Sequence, residues 1–326
     1  MSMDVFRTEK HSRGDDVIAY PRWKRLLRCA RLLIPRAIRE IWMACSPWIK
    51  SDILYLKILY FLTYGRLLNL TCPKRFTEKL QALKLIYTEP LHSQMVDKYG
   101  VREIIEKELG QDYLFPLLGV WDNVDDIDFS ALPEQFVLKP THDSGSIIFC
   151  HDKAHFDIST AKKRLKKSLK RKFFYRMREL AYRGVKPRVI AEPLMVDDSG
   201  TELRDYKLLC FNGTVKYIQV HYGREHNHRR NLYTPEWKLV DDFFMIGPND
   251  PSYIVPKPDL LPKMLEIASR LSKGFPEIRI DFYIVNNHLY FGEFTFFHSG
   301  GLFMFYPDKF DEILGNDVKL PPLQIS

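Results

Sequence analysis

Two stretches of alternating apolar and polar residues, Glu277–Val285 and Leu289–Phe297, are separated by Asn286, Asn287 and His288. This period of two predicts half-buried strands, and asparagine favours a tight turn between them. In the first strand, one face carries Ile278, Ile280, Phe282 and Ile284, and the other carries Arg279, Asp281 and Tyr283. In the second strand, one face carries Tyr290, Phe294 and Phe296, and the other carries Phe291, Glu293 and Thr295. The chain must therefore bury one face of an antiparallel hairpin and leave a charged face open.

The length of the turn decides which residues lie opposite each other in this hairpin. A two-residue turn pairs Asp281 with Gly292, whereas a three-residue turn over residues 286–288 pairs Asp281 with Glu293. We predict the three-residue turn, because a slip of one residue would bury charge in the core. The two carboxylates then lie about 5 Å apart at Cβ. A bound Mg²⁺ would offset their repulsion, and the alternative is a surface pair neutralised by Arg279.

The rest of the sequence indicates an α+β fold with antiparallel sheets. The other predicted strands are Phe136–Lys139, Ile147–Cys150, Val189–Val196, Tyr206–Phe211 and Val215–Tyr222. Asn212-Gly213 is a strong signal for a two-residue hairpin turn. Helices are predicted in the segments Thr77–Leu109, Ala161–Leu180 and Leu260–Lys273, the last of them closed by Gly274. Strands interspersed with helices are typical of α+β proteins.

The composition excludes several classes of protein. Of 326 residues, 45% are hydrophobic and 13% aromatic, which excludes a disordered or fibrous chain. The five cysteines are scattered singly, which indicates neither a disulfide framework nor a zinc site. A formal charge of +8 favours an acidic partner. Nucleic acid is not expected as that partner, because no RNA-binding aromatic motif or reading helix is visible.

The first seventy residues differ from the rest, because basic and apolar residues interleave between Pro21 and Lys50. This pattern fits a helix on an anionic membrane surface, or a helical extension packed on the main domain, which we favour. The longest apolar run, Ile53–Leu62, contains Lys57 and is too short to span a bilayer. The first ten residues are too polar for a signal peptide. We therefore expect a cytoplasmic protein, with peripheral contact at the inner face of the membrane as an open alternative.

Several short segments, taken in order, resemble the ATP-grasp superfamily. They are Asp97-Lys98 before a helix, Lys139 before a loop of small residues, Glu192, Arg279-x-Asp281, and Glu293-x-Thr295 followed by Ser299-Gly300-Gly301. The segments KRFTEKL, DKYGVRE, FPLLGVWD, FVLKPTHDSG, RVIAEPLM, DYKLLCFNG, LSKGFPEIRIDFY and YFGEFTF are similar to its TupA-like branch, named for teichuronopeptide biosynthesis. The resemblance covers residues 73–312 and lies in their order and spacing, since no single motif is specific.

This resemblance implies two α+β lobes that clamp ATP between antiparallel sheets. It also implies a division of the chain into an N-terminal extension (1–72), a substrate region (73–135), a small lobe with the phosphate loop (136–198) and a large lobe with the metal site (199–326). The activity implied is amide formation, in which ATP phosphorylates a carboxylate and an amine attacks the acyl phosphate. The branch belongs to bacterial surface-polysaccharide synthesis, such as that of capsule or O-antigen.

The same resemblance implies roles for individual residues. The nucleotide would be bound by Lys98, Lys139, Thr141, Ser144, Gly145, Ser146, Glu192, Leu194, Asp205 and Lys207. Mg²⁺ would be held by Asp281, Glu293 and Thr295, with Arg279 stabilising charge on the transferring phosphoryl group. The activated carboxylate would be held by Arg224, Arg230 and Asn231, and the acceptor by His298, Ser299, Gly300 and Gly301. Thr295 stands where the superfamily usually has asparagine.

Three functions remain in view. The first is a carboxylate–amine ligase whose partners are an acidic glycan or glycan precursor and an amino compound. For such a ligase, the basic segment Lys162–Arg178 is either a glycan-docking site or a solvated face. The second is a glycosyltransferase of the same pathway, which predicts a nucleotide-sugar fold with a DxD metal motif; the acidic doublets of this sequence, Asp125-Asp126 among them, lie in turn-like segments. The third is a non-catalytic scaffold, disfavoured because Lys139, Arg279, Asp281 and Glu293 are all present.

Overall fold

The computed structural model describes residues 37–197, 203–223, 227–245, 247–250 and 252–322. The helices are α1 (37–44), α2 (Asp52–Tyr64), α3 (Phe76–Ile86), α4 (Pro90–Val96), α5 (Val101–Leu109), α6 (Ile158–Leu169), α7 (Phe174–Met177), α8 (Leu261–Leu271) and α9 (Phe310–Asp317). None of these described helices is both long enough and apolar enough to cross a lipid bilayer.

Two antiparallel sheets form the centre of the fold, which confirms the α+β prediction. The small sheet has the order β1-β4-β2-β3 and consists of β1 (Gly119–Trp121), β2 (Phe136–Pro140), β3 (Ile148–Cys150) and β4 (Val189–Pro193). The large sheet has the order β10-β9-β5-β6-β7 and consists of β5 (Asp205–Phe211), β6 (Thr214–Tyr222), β7 (Arg229–Tyr233), β9 (Glu277–Val285) and β10 (His288–Thr295). Strands β8 (Phe244–Met245) and β11 (Phe305–Tyr306) form a separate pair.

Local residues determine where helix α6 begins and where helix α8 ends. Asp157 caps α6 by accepting a hydrogen bond from the backbone N–H of Thr160, at 2.9 Å. Helix α8 ends just before Gly274, whose φ of +86° is one that side chains disfavour. The buried face of α8 contributes Met264, Ile267 and other residues to the core beneath the large sheet.

The β9–β10 hairpin corrects the predicted turn. The turn has two residues, because Val285 pairs with His288, and Asn286 and Asn287 both have positive φ. Glu293 nevertheless lies opposite Asp281, since a β-bulge between Phe291 and Glu293 shifts the register.

Gly292 is the extra residue of this bulge. A Cβ there would lie 2.7 Å from Cε2 of Tyr283 and 3.0 Å from the carbonyl oxygen of Asp281. The bulge also corrects the predicted faces, because Phe291 is buried opposite Phe282, whereas Tyr290 pairs with Tyr283 on the other face. Glycine therefore permits the close approach that brings the two carboxylates together.

The described part of the N-terminal extension packs on the main domain. Arg178, which follows α7, is fully buried and donates hydrogen bonds to the carbonyl oxygens of Ser46 (2.7 Å) and Ile49 (2.6 Å). Its guanidinium also lies 4.7 Å from the centre of the Tyr55 ring and forms an ion pair with Asp52 at 3.3 Å. Most of the basic segment between Pro21 and Lys50 lies outside the described residues.

The predicted domain boundaries remain predictions. Strand β1 precedes the boundary predicted at residue 136, yet it pairs with β4 in the small sheet. Near the other end of the chain, α9 packs on α3, where Thr77 donates two hydrogen bonds to Asp311, at 2.9 and 2.8 Å.

Candidate active site

A charged cluster lies on one face of the large sheet, where β10, β9 and β5 are neighbours. Arg279 donates two hydrogen bonds to Asp281, at 2.6 and 2.7 Å, and a third to Oε1 of Glu293 at 3.0 Å. From β5, the ammonium group of Lys207 donates to Asp281 and forms an ion pair with Asp205 at 3.2 Å. One arginine thus bridges the two predicted metal ligands, and a lysine supplies a second positive charge.

Burial and neighbouring charges have opposite effects on the pKa values of this cluster. Burial alone would raise the pKa of Asp281, but Arg279 and Lys207 outweigh it and hold this pKa below its usual value. Burial alone would lower the pKa of Arg279, but the carboxylates of Asp281 and Glu293 raise it. Asp281 is completely buried, whereas the side chain of Glu293 is 40% exposed. Glu293 therefore forms the open edge of the cluster.

The small sheet supplies a second charged group. Lys139 donates a hydrogen bond to Glu192 at 2.5 Å, so that the two predicted nucleotide-binding residues are paired on neighbouring strands β2 and β4. Arg102 from α5 also contacts Glu192, at 3.4 Å, and donates to the carbonyl oxygen of Phe115 at 2.8 Å. Sequence reasoning missed Arg102, although it lies in the quoted segment DKYGVRE.

A cavity of about 60 Å³ joins these two groups. Its lining includes Lys98, Lys139 and Glu192 from one side and Gly292 and Glu293 from the other. Pockets that hold small-molecule ligands usually measure about 300–1,000 Å³. The cavity between the sheets is smaller than that range, so the sheets would have to separate before it could admit a ligand of that size.

The loop after β2 is organised by a buried aspartate. Asp143 accepts hydrogen bonds from Ser146 and Ser168, and its carbonyl oxygen accepts one from the ammonium group of Lys98 at 2.5 Å. Thr141 is completely buried and its hydroxyl donates to the carbonyl oxygen of Lys186, so this side chain is not available to a phosphate.

The tip of the same loop is more open than Thr141. Ser144 and Gly145 are exposed, Ser146 is half-buried, and Gly145 has a φ of +87°. The predicted phosphate loop is thus reduced to these three residues.

Two other residues that were predicted to contact the nucleotide already interact with neighbours in the protein. The backbone N–H of Leu194 donates to the carbonyl oxygen of Gln135 at 3.4 Å and so already has a partner within the protein. The carboxylate of Asp205 is completely buried beside Lys207, so it is not accessible to the hydroxyl groups of a ribose. Thr295 donates to Oε1 of Glu293 at 3.3 Å and therefore lies next to the proposed metal ligands.

The predicted carboxylate-binding segment is divided between the two faces of the large sheet. Arg224 lies outside the described residues. Arg230 pairs with His221, which pairs with Asp205, so Arg230 shares the sheet face that carries the charged cluster. Its guanidinium is half-buried without a hydrogen bond or ion pair to another described residue, and burial lowers its pKa.

Asn231 lies on the opposite face and corrects the prediction. Its side chain is completely buried; it donates to the carbonyl oxygen of Tyr253 at 2.6 Å and accepts from the backbone N–H of Asp250 at 2.7 Å. Asn231 therefore holds residues of the following loop in place and is not available to a substrate.

The segment predicted to cradle the acceptor is also structural. His298, Gly300 and Gly301 are buried, and only Ser299 is exposed. A Cβ at Gly300 would lie 2.9 Å from Cγ of Met177, and one at Gly301 would lie 2.8 Å from Nε2 of Gln81. These glycines let the backbone pass close to neighbouring side chains, and the acceptor role is not supported.

A buried lysine that the sequence did not reveal holds this segment. Lys84 of α3 donates to the carbonyl oxygens of Gly300 (2.6 Å) and Met177 (2.8 Å). Burial lowers the pKa of Lys84, and the nearby charge of Glu179 opposes that shift; burial likewise raises the pKa of Glu179. Lys84 thus connects α3 to the last residue of α7 and to the segment that follows β10.

Among the described residues, no group of three or more histidine, cysteine, aspartate or glutamate side chains is arranged to hold a metal ion. The oxygen donors on the cluster face near Glu293 are two carboxylates and a hydroxyl, from Asp281, Glu293 and Thr295. Mg²⁺ is commonly bound by one or two carboxylates together with substrate phosphates, so this donor set fits Mg²⁺ in kind. Arg279 would have to leave the carboxylates for both to bind the ion.

Solved structures with low sequence identity share parts of this fold. They include an L-amino acid ligase from Bacillus licheniformis (13% identity, 86% of this chain, 65% of that chain, TM-score 0.44). D-cycloserine synthetase DcsG has 16% identity over 74% of this chain and 79% of that chain, with a TM-score of 0.39. D-alanine–D-alanine ligase from Bacillus anthracis, complexed with ATP, has 13% identity over 67% of this chain and a TM-score of 0.38; the chain spans 60% of the length of that ligase.

Among curated proteins, none matches the sequence significantly. A family model described as TupA-like ATPgrasp matches residues 78–319, about three quarters of the chain. That range contains both sheets and every residue of the charged cluster. The chain therefore belongs to the TupA-like ATP-grasp family.

Proposed function

We propose that this protein is an ATP- and Mg²⁺-dependent ligase that joins an amino compound to a carboxyl group through an acyl phosphate. The observation that carries the proposal is the cavity between the sheets, where Lys139 and Glu192 face the open edge of the charged cluster at Glu293. Two lysines and one arginine close to two carboxylates suit the binding and transfer of a phosphoryl group. The family match favours this activity over a glycosyltransferase.

Each residue of the cleft has a distinct part in this proposal. Lys139 and Lys98 would exchange their present partners, Glu192 and the carbonyl oxygen of Asp143, for nucleotide phosphates. Arg279 would stabilise the charge that develops on the transferred phosphoryl group. Asp281 and Glu293 would hold Mg²⁺, which when bound neutralises phosphate oxygens.

The carboxylate substrate would be held by Arg230. Its guanidinium lies on the cluster face without a carboxylate partner among the described residues, and arginine binds carboxylates through two parallel hydrogen bonds. The proposed substrates are a uronic acid, or a glycan precursor that contains one, and an amino acid, in the synthesis of a bacterial surface polysaccharide such as capsule or O-antigen.

The remaining proposals concern partners and location. The exposed lysines of α6 would attract an acidic glycan, since Lys163, Lys166, Lys167 and Lys170 all face solvent. The reaction would take place in the cytoplasm, where ATP is available.

The nucleotide product tests the mechanism. Purified protein should release ADP from Mg²⁺-ATP when both substrates are present, and hydroxylamine should trap the acyl phosphate as a hydroxamate when the amine is left out. Lys139→Met should abolish both signals, whereas Lys273→Met, at an exposed position just after α8, should leave them unchanged. Release of AMP and pyrophosphate would indicate adenylation and contradict the proposal.

The glycan itself tests the pathway. In a strain that lacks the protein, mass spectrometry should show a surface polysaccharide that has lost an amide substituent and kept its sugar backbone. A truncated repeat unit would instead indicate a glycosyltransferase.

A further inference from the structure

Exposed apolar side chains are concentrated near the N-terminal end of the described chain. In the part of the chain that the structure describes, sixteen large hydrophobic residues are exposed, and six of them lie between positions 38 and 67. We call these six the apolar N-terminal surface: Ile38, Ile41, Trp48, Leu54, Phe61 and Leu67. Trp48 is 78% exposed and Leu67 is 83% exposed. Exposed apolar residues scattered singly are normal on a soluble protein, whereas these six are concentrated in one short part of the chain.

Helix α2 shows that this exposure follows from the sequence. Its inner face packs Tyr55, Leu56, Leu59 and Tyr60 into the core. Its outer face carries Leu54 and Phe61, which are seven residues apart and hence on the same side of the helix. A surface helix of a soluble protein usually has a polar outer face, and α2 has only Lys57 between these two apolar residues.

The charge around this surface is positive. Lys50 and Lys57 are exposed, whereas the acidic residues of the same region, Glu40 and Asp52, form ion pairs with arginines of the segment 176–183. Residues 1–72 contain 13 Lys and Arg against 6 Asp and Glu, whereas the rest of the chain contains 36 against 35. Almost the whole net charge of the protein therefore belongs to this end of the chain.

We propose that the apolar N-terminal surface rests on an anionic lipid bilayer. Its apolar side chains would enter the boundary between headgroups and acyl chains, and Lys50 and Lys57 would contact lipid phosphates. This interaction does not depend on the ligase chemistry. It would hold the enzyme at a membrane surface while the cleft between the sheets remains part of the soluble domain.

Charge distinguishes a bilayer from the other two candidates that could cover this surface, residues 1–36 of the chain and a second copy of it. Residues 1–36, which end two positions before Ile38, contain nine basic and four acidic residues and would be repelled by Lys50 and Lys57. A second copy of the chain would bring two positive surfaces together. An anionic bilayer is the occupant that matches both the apolar side chains and the charge.

Vesicle co-sedimentation of the full chain tests this proposal. The protein should bind vesicles of equal parts phosphatidylcholine and phosphatidylglycerol, should bind phosphatidylcholine alone at least about tenfold more weakly, and should lose affinity as salt is raised. The double variant Leu54→Glu/Phe61→Glu should reduce binding at least about tenfold. Ile158→Glu/Ile313→Glu is the matched control, because it adds the same charge at two exposed apolar positions elsewhere.

A second pair of variants tests whether binding depends on the position of the positive charges or only on the total charge of the protein. Lys50→Glu/Lys57→Glu should reduce binding at least about tenfold, whereas Lys163→Glu/Lys167→Glu on α6 should change it less than threefold. Circular dichroism should show the same helix content in all variants.

Three results would overturn the proposal. The first is a wild-type protein that does not bind the anionic vesicles. The second is equal loss of binding in the test and control variants. The third is a dimer in the absence of lipid that Leu54→Glu/Phe61→Glu dissociates, because a second copy would then cover this surface.

Discussion

Glu293 lies opposite Asp281 because Gly292 adds one residue to β10, and the nitrogen Nη2 of Arg279 then contacts both carboxylates. The closeness of the two acidic groups thus rests on a backbone irregularity as well as on charge. Removal of the bulge would turn Glu293 toward the other face of the sheet.

Gly292→Ala should therefore disturb both stability and activity. The new Cβ would lie 2.7 Å from the Tyr283 ring and 3.0 Å from the Asp281 carbonyl oxygen, which we expect to cost about 1–3 kcal/mol of the free energy of unfolding. Urea unfolding and ADP release measure the two effects. Tyr283→Ala in the same chain should restore part of the stability, because it removes one of the two contacts. Wild-type values for Gly292→Ala would show that the bulge is not required.

The two carboxylates should differ in what they contribute to stability. Asp281→Asn leaves the buried cations of Arg279 and Lys207 with less opposing charge and should cost about 3–5 kcal/mol of the free energy of unfolding. Glu293→Gln should cost less than about 1 kcal/mol, because that side chain is 40% exposed. Urea unfolding without nucleotide gives both values.

Both variants should lose ADP release, because each removes a proposed metal ligand. An Asp281→Asn protein that is more stable than the wild type would mean that the carboxylates repel each other more than the cations stabilise them.

Lys84 and Glu179 should be energetically coupled. Lys84→Met should destabilise the protein by about 3–5 kcal/mol, because Glu179 then remains buried without its cation. Glu179→Gln should restore part of this loss when it is added to Lys84→Met. A double-mutant cycle by urea unfolding gives the coupling energy, and a value near zero would contradict the charge interaction between the two side chains.

His298 should make the protein less stable in mild acid. Burial lowers the pKa of His298 to about 3 from 6.5, with Arg279 as a smaller cause, so the folded protein keeps this ring neutral. Between those pH values the unfolded chain binds more protons than the folded one, and stability present above pH 6.5 is lost as the pH falls. From pH 7.5 to 5.5 this residue should cost about 1.4 kcal/mol.

The measurement is the difference in unfolding free energy between the two pH values. His298→Phe, which keeps a ring beside Phe303, should remove this contribution, whereas His155→Asn at an exposed position should not. An unchanged pH dependence in His298→Phe would contradict the assignment.

The sequence predicted the sheets well because their information is local. Alternation along Glu277–Val285 and the turn residues Asn212-Gly213 indicate strands and hairpins without reference to the rest of the fold. The pairing of Asp281 with Glu293 was right for the wrong reason. An isolated glycine in a strand is a known signal for a bulge, and Gly292 carried that signal.

The substrate side was less predictable because burial of a polar residue depends on distant parts of the chain. Asn231 and His298 lie in segments of suitable composition, yet Asn231 is enclosed by a loop about twenty positions further along the chain and His298 packs against Phe76 of α3. Lys84 and Glu179 are separated by more than ninety residues, and no local pattern marks them as partners. The sequence placed Lys139, Arg279, Asp281 and Glu293 on strands, and the structure agrees, whereas their roles in the reaction stay predictions.

Arg178 shows that the limits of the family match are not the limits of an autonomous folding unit. A shortened chain beginning at residue 78 would contain the whole matched region but would lack the carbonyl groups of Ser46 and Ile49, the carboxylate of Asp52 and the ring of Tyr55. Its Arg178 would lose the partners that now compensate its burial, and the inner face of α2 would leave apolar surface uncovered. Such a fragment should aggregate or remain partly unfolded, whereas a chain that retains residues 37–77 should unfold cooperatively.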